Sequence, residues 1–213
     1  SHYSFISNTF SFTFATMMAA SLFFWLNLSN IAKAYRPALI ITGLVTFIAA
    51  YHYMMIMVSF KEAFSVVGEV AEATGVGFND AYRYVDWFIT VPLQIVEFYL
   101  ILAAVTVVPL MLFWRLLGAS LVMLIFGFMG EAGLGDPMLM FIIGMAGWIY
   151  IIYEVFAGEA SKLSVSSANQ GAQFAFNSLR LILTVGWAIY PIGYYLGMES
   201  GGSDTANIVY NLS

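Results

Sequence analysis

The chain has 213 residues, of which 62% are hydrophobic and only 9% charged, and its mean hydropathy is +0.87. Soluble domains carry about 25% charged residues, so this composition points to an integral membrane protein resident in a lipid bilayer. The net charge is −5 with no basic run, which disfavours nucleic acid; the absence of Cys excludes disulfides, thiol catalysis and thiolate metal sites; His2 and His52 offer no metal-ligand spacing.

Six apolar spans are expected, over roughly 8–30, 37–60, 81–107, 110–130, 137–157 and 173–197, each near or above the ~20 residues that a spanning helix needs. They form one transmembrane domain over 1–213. Pro37, Pro109 and Pro137 stand where new helices begin, the position at which proline is best tolerated. The 61–80 connection alternates Val, Gly and Glu and predicts a small hairpin. Lys33, Arg36, Arg115 and Lys162 fall in the odd-numbered loops against Lys61 in the even ones. The positive-inside rule then puts the odd loops in the cytoplasm and the N-terminus outside, in a multi-pass protein of a bacterial-type plasma membrane. After the sixth span, IVYNLS reads as the first turn of a seventh element.

The third span concentrates the chemistry. RYVDWFITVPLQIVEFYLIL carries Arg83, Asp86, Thr90 and Glu97 in an otherwise apolar helix. Charges at the bilayer centre cost about 2.5 to more than 10 kcal/mol, so such residues are rarely accidental. Asp86 and Glu97 are eleven residues apart, three turns plus roughly 20°, and so share one helix face about 16 Å apart along the axis. Arg83 and Thr90 lie one turn either side of Asp86 on nearly the same stripe. A cation, a carboxylate, a hydroxyl and a second carboxyl in sequence have the layout of a proton path.

Bland readings stand beside this one. Asp86 could make a helix–helix hydrogen bond, Glu97 could reach the cytoplasmic headgroups, and His52, in the middle of the second span, could be a satisfied core residue. His52 could equally partner Asp86 across the helix pair. Glu97 has no base within a turn, and burial favours its neutral form, so it is expected to hold its proton at rest. Trp87, Trp148 and Trp187 fall well inside spans, and with Met123 and Tyr190 they could line an apolar slot for a long conjugated ligand. Pro191 is expected to kink the sixth helix.

RYVDWFITVPLQ, with Glu97 eleven residues beyond Asp86, resembles the third helix of the microbial (type 1) rhodopsins. EFYLILAAVTV, SLVMLIFGFMGEAG, GWIYIIYE and GWAIYPIGY resemble the proteorhodopsins of that family from about residue 80 to 212. The resemblance implies an all-α seven-helix membrane bundle, of which six helices and the start of the seventh are in this sequence. It implies all-trans retinal bound as a protonated Schiff base on a lysine of that seventh helix, beyond the residues given. It implies a light-driven outward proton pump with Asp86 as counterion and proton acceptor, Arg83 and Thr90 tuning it, and Glu97 as cytoplasmic proton donor. His52 matches the histidine that pairs with the acceptor. Trp87, Met123, Gly127, Trp148, Trp187, Tyr190 and Pro191 match retinal-pocket positions, and Gln94 stands where glutamine goes with blue absorption and leucine with green.

Lys33, Lys61 and Lys162 all fall in predicted loops, so none is suited to hold a Schiff base. The sequence is therefore expected to be part of a longer protein. A photosensory receptor signalling to a partner protein is the alternative function, which Glu97 disfavours because sensors generally lack a carboxyl donor. A sodium or chloride pump would carry other residues at 86 and 97, and no nucleophile–base constellation suggests an enzyme. The family commonly forms pentamers or hexamers, and Ala19, Ala20 and Ser21 offer small residues for close packing in such an oligomer.

Overall fold

A computed structural model describes residues 2–67, 70–79, 81–167 and 169–200. The IVYNLS segment, expected to open a seventh element, lies outside the described residues. Among the described residues the secondary structure is helical apart from one hairpin, and six stretches are long and apolar enough to cross a membrane: Tyr3–Leu26, Lys33–Ala63, Tyr82–Ala103, Leu110–Glu131, Pro137–Ser166 and Gln170–Tyr195. It divides into two compact units, Ser1–Glu97 and Phe98–Ser213.

The first unit begins with α1 (His2–Leu26). This helix starts six residues before the expected 8, since nothing in HYSFISN breaks a helix even though the segment is too polar to read as span. It stops four residues short of 30, where the Asn27 side chain donates to the Phe23 carbonyl at 2.8 Å and a 3-10 turn, Leu28–Asn30, follows. A second short turn, Lys33–Tyr35, leads into α2 (Arg36–Ala63), which has Pro37 in its first turn. α1 and α2 pack closely at Gly43. A Cβ there would lie 2.1 Å from the Trp25 ring nitrogen, so only glycine leaves room for the indole. Phe60 of α2 is the hub of an aromatic cluster, 5.7 Å edge-on from Phe10, 5.2 Å from Tyr3 and 6.1 Å from Phe78.

The predicted hairpin is present. β1 (Phe64–Val67) and β2 (Val70–Ala73) pair antiparallel, with Phe64 opposite Ala73 and Ser65 opposite Glu72. Its return is tied to the end of α2: Thr74 donates its hydroxyl to the Glu62 carbonyl at 2.6 Å and its N–H to the Ala63 carbonyl at 2.9 Å. Asn79 N–H then reaches the Ser59 hydroxyl at 2.9 Å. α3 (Tyr82–Ala103) follows, ending before the expected 107. The β-branched run Val105–Val108 disfavours helix, and Pro109 pushes its predecessor to extended backbone.

The second unit holds α4 (Leu110–Glu131) and α5 (Pro137–Phe156). Leu112, Leu116, Ser120, Leu124 and Gly127 are buried at helical spacing on α4. Glycines of α5 seat against this stripe: a Cβ on Gly147 would meet the Ala119 carbonyl oxygen at 2.6 Å, and one on Gly144 the Met123 carbonyl oxygen at 3.3 Å. Backbone-to-backbone approach of this kind is how small residues join membrane helices.

The segment GEASKLSVSSANQ, expected to be a loop, instead forms α6 (Glu159–Ser166), and α7 (Gln170–Leu181) starts with the Asn169 side chain capping Ala172 N–H at 2.9 Å. Lys61 and Lys162 correspondingly lie in helices, at the end of α2 and in α6, though both side chains are exposed, as is Lys33. The sixth predicted span is not one α-helix. A π-helical segment, Ile182–Gly186, joins α7 to α8 (Trp187–Ser200), and Pro191 lies inside α8. Ser21, expected to be available for packing between copies, is fully buried, with its hydroxyl on the Met18 carbonyl, while Ala19 is exposed.

Candidate functional site

α3 places both carboxyls in the interior, with Asp86 8% and Glu97 6% exposed. Each has acquired a partner from α2, and this could not be read from α3 alone. His52 Nδ1 stands 3.1 Å from Asp86 Oδ1 and 3.0 Å from the Ile48 carbonyl. The Ile48 carbonyl can only accept, so the tautomer with hydrogen on Nδ1 satisfies it, and an ionised Asp86 accepts from the same hydrogen. On the other side Thr90 donates to the Asp86 main-chain carbonyl at 2.9 Å, with Asp86 Oδ2 at 3.4 Å. His52, Asp86 and Thr90 therefore come together as the sequence suggested. Arg83, one turn before Asp86, is buried as well.

Glu97 is turned into the protein rather than exposed. Its Oε1 lies 2.5 Å from the hydroxyl of Thr42, whose oxygen is also 3.0 Å from the Ala38 carbonyl. Sequence reasoning missed Thr42; the signal available was a hydroxyl in the first half of the second span, with Thr46 one turn on. A threonine has one hydroxyl hydrogen. If it goes to Ala38, the contact to Glu97 is made by a hydrogen on the carboxyl; if it goes to Glu97, the bond to Ala38 is lost. The geometry accommodates a neutral Glu97 with every partner satisfied.

Trp87 and Gln94 are half-buried on α3, and Trp87 meets Tyr84 edge-on at 5.2 Å. In the second unit Gly127 is buried, while Met123, Trp148, Trp187, Tyr190 and Pro191 are half-buried. Trp148 reaches across to donate its ring N–H to the Leu183 carbonyl at 3.0 Å. A further buried carboxyl, Glu154 of α5, escaped the sequence reading. Its Oε1 accepts from Tyr150 at 3.1 Å with an Arg115 nitrogen at 3.7 Å, and its Oε2 accepts Glu159 N–H at 3.0 Å. Arg115 also pairs with Glu159. Among the described residues, no group of three or more His, Asp or Glu side chains is placed to hold a metal.

Helices long and apolar enough to span a membrane thus carry a buried imidazole–carboxylate pair and a second buried carboxyl on the same helix. The chain belongs to the bacteriorhodopsin-like protein family, which matches residues 4–212, and it has the rhodopsin fold of a multi-pass membrane protein. It is 43% identical to the blue-light absorbing proteorhodopsin of Gamma-proteobacterium Hot 75m4, over 98% of this chain and 81% of that one. It is also 43% identical to the green-light absorbing proteorhodopsin of Gamma-proteobacterium EBAC31A08, over 93% and 76%. The crystal structure of xanthorhodopsin, described as a light-driven ion pump with dual chromophore, superposes with a TM-score of 0.85 at 32% identity, covering 99% of this chain and 85% of that one.

Proposed function

We propose that this protein is a light-driven outward proton pump, a transporter and not an enzyme, acting as a single transmembrane domain with its N-terminus outside the plasma membrane. The observation that carries the reading is the arrangement on α3: two buried carboxyls on one helix, Asp86 held by His52 and Thr90, and Glu97 held by Thr42.

All-trans retinal is the cofactor this arrangement fits. A buried carboxylate is stable beside a cation, and a protonated Schiff base is one. Trp87, Gln94, Met123, Gly127, Trp148, Trp187, Tyr190 and Pro191 would hold the polyene. The covalent link does not fit Lys33, Lys61 or Lys162, whose side chains are all exposed, and falls to the seventh-helix lysine that the family resemblance implies. When bound, retinal supplies a photoisomerising chromophore with a proton that can be given up and regained.

The chain's own residues do the rest. Asp86 takes a proton at a carboxylate oxygen. Its Oδ1 is engaged by His52 at 3.1 Å and its Oδ2 more loosely by the Thr90 hydroxyl at 3.4 Å, so Oδ2 is assigned as the receiving atom. His52, with Nδ1–H fixed by the Ile48 carbonyl, orients that carboxylate. Arg83 lies one turn toward the outer end and, with Thr90, tunes that carboxylate. Glu97 holds a proton in the inner half, and Thr42 rotates between the Ala38 carbonyl and Glu97 Oε1 as that proton leaves and returns. Gln94 places an amide dipole beside the polyene, which favours blue absorption. Assembly into a pentamer or hexamer is part of the proposal.

The test is the external pH of retinal-supplied cells that express the complete gene under blue-green light. Acidification abolished by a protonophore is expected. Coloured cells that leave the medium unchanged would overturn pumping in favour of photosensing.

A further inference from the structure

The pumping scheme gives no role to the π-helical segment Ile182–Gly186 or to the bond that reaches it from another helix. In a π-helix each N–H bonds one residue further back than in an α-helix, so one residue is bulged and carbonyls near the bulge lose their usual partners. Here two carbonyls at and just before the segment accept side-chain donors. The Leu183 carbonyl accepts the Trp148 ring N–H at 3.0 Å, and the Arg180 carbonyl accepts the Thr184 hydroxyl at 2.7 Å. The bulge is thus held by two side-chain hydrogen bonds, one of them from α5. The start of the segment is anchored to α5 a second time, where the Arg180 guanidinium lies 4.6 Å over the Phe156 ring.

Taking out a one-residue bulge turns everything on one side of it by about 100° relative to the other. The first residue past the segment is Trp187, which the proposed function places against the chromophore together with Trp148. One end of the Trp148–Leu183 bond is therefore in the proposed pocket and the other is on the bulged backbone.

We propose that the Trp148–Leu183 hydrogen bond is a catch that re-forms the π register of residues 182–186 at the end of each turnover. This rests on the light-driven reading above. In the dark the catch is closed. Displacement of the Trp148 ring opens it, the segment passes to the α register, and α7 turns against α8. Return of the indole to the Leu183 carbonyl restores the resting register. Trp148 is then a positioning residue that acts through the backbone of 182–186, and Thr184 is its helper.

The experiment compares wild type, Trp148→Phe, Thr184→Val and the double variant, each as the complete retinal-loaded protein in membranes. Flash photolysis with a pH dye separates proton release to the outside from recovery of the dark state. Peptide-level amide exchange over 178–190 is followed in the dark and under light. Wild type is expected to exchange faster in this segment under light. Thr184→Val is expected to slow dark-state recovery about fivefold, the size of effect carried by one hydrogen bond, with release to the outside unchanged, and Trp148→Phe to slow recovery by at least as much. The double variant is expected to fall short of the product of the two, because both act on one bulge. Recovery at the wild-type rate in Thr184→Val, with only Trp148→Phe altered, would assign the effect to pocket contact and overturn the catch. Identical exchange in light and dark would overturn it too. A wild type that cycles normally without acidifying the medium defeats the pumping reading alone, and the recovery rates still decide the catch.

Discussion

His52 and Asp86, thirty-four residues apart on α2 and α3, meet in the interior: the ring Nδ1 lies 3.1 Å from Asp86 Oδ1 and 3.0 Å from the Ile48 carbonyl of its own helix. The imidazole is therefore oriented by its own helix before it meets the carboxylate. Replacing His52 by Phe leaves Asp86 Oδ1 buried without this donor, at a cost of about 1–3 kcal/mol. The expected outcome is a shifted pH midpoint of the colour change that reports Asp86 protonation, with retinal binding retained, read by absorption titration. Asp86→Asn, which cannot accept a proton, is expected to abolish acidification altogether.

Glu97→Gln keeps the shape and the contact with Thr42 but cannot give up a proton. Proton donation by a placed acid contributes about 10²–10⁴-fold, so the recovery step in flash photolysis should slow by roughly that factor. Added azide, a diffusible acid, should restore much of it. Thr42→Val is expected to move the same step in a smaller amount, since it removes the partner and not the acid.

Gln94→Leu removes an amide dipole from the proposed polyene site. Absorption is expected to move to longer wavelength, with pumping under matched illumination preserved. An unmoved spectrum would take Gln94 out of the chromophore's surroundings.

Glu154 and Glu159 both face Arg115, yet they differ in kind. The Glu159 pair is at the surface, where such pairs give about 0–1 kcal/mol, and Glu159→Ala is expected to have little effect on thermal stability. Glu154 is 4% exposed and caps the Glu159 N–H at the start of α6, so Glu154→Ala should cost more, about 1–2 kcal/mol. Thermal bleaching of the two variants side by side measures the difference.

At Gly147 a methyl group would meet the backbone of α4 at 2.6 Å. Gly147→Ala forces α4 and α5 apart and is expected to destabilise by about 1–3 kcal/mol, visible in the same bleaching assay. Gly118, where an added methyl group would meet nothing within 4 Å, is the control, and Gly118→Ala should be neutral.

What the sequence made legible follows from how far each signal travels along the chain. The spans declare themselves through composition, and Asp86 and Glu97 through helical spacing, because both signals are local. The hairpin was read from alternation in residues 61–80. Thr42 was not legible as the partner of Glu97, since a threonine in an apolar helix carries no mark of which neighbour its hydroxyl meets. Glu154 lies near a span end, where an acid ordinarily meets water. α6 was hidden because its serines suggest a loop, although its Ala160 and Ser164 are buried four residues apart. The π segment was the least visible, for the sequence drew attention to Pro191 while the irregularity is one turn earlier, in residues with no breaker before Gly186.

The hairpin's return has a practical consequence. Thr74 and Asn79 fasten the connection to α2 at either end, while between them Gly75, at φ +90°, and Gly77 have open space around them. The chain contains no cysteine, so Gly77→Cys would create a single thiol on an anchored but uncrowded turn. A membrane-impermeant maleimide would then label intact cells from whichever side this turn faces, turning the hairpin into a marker of how the chain is threaded through the bilayer.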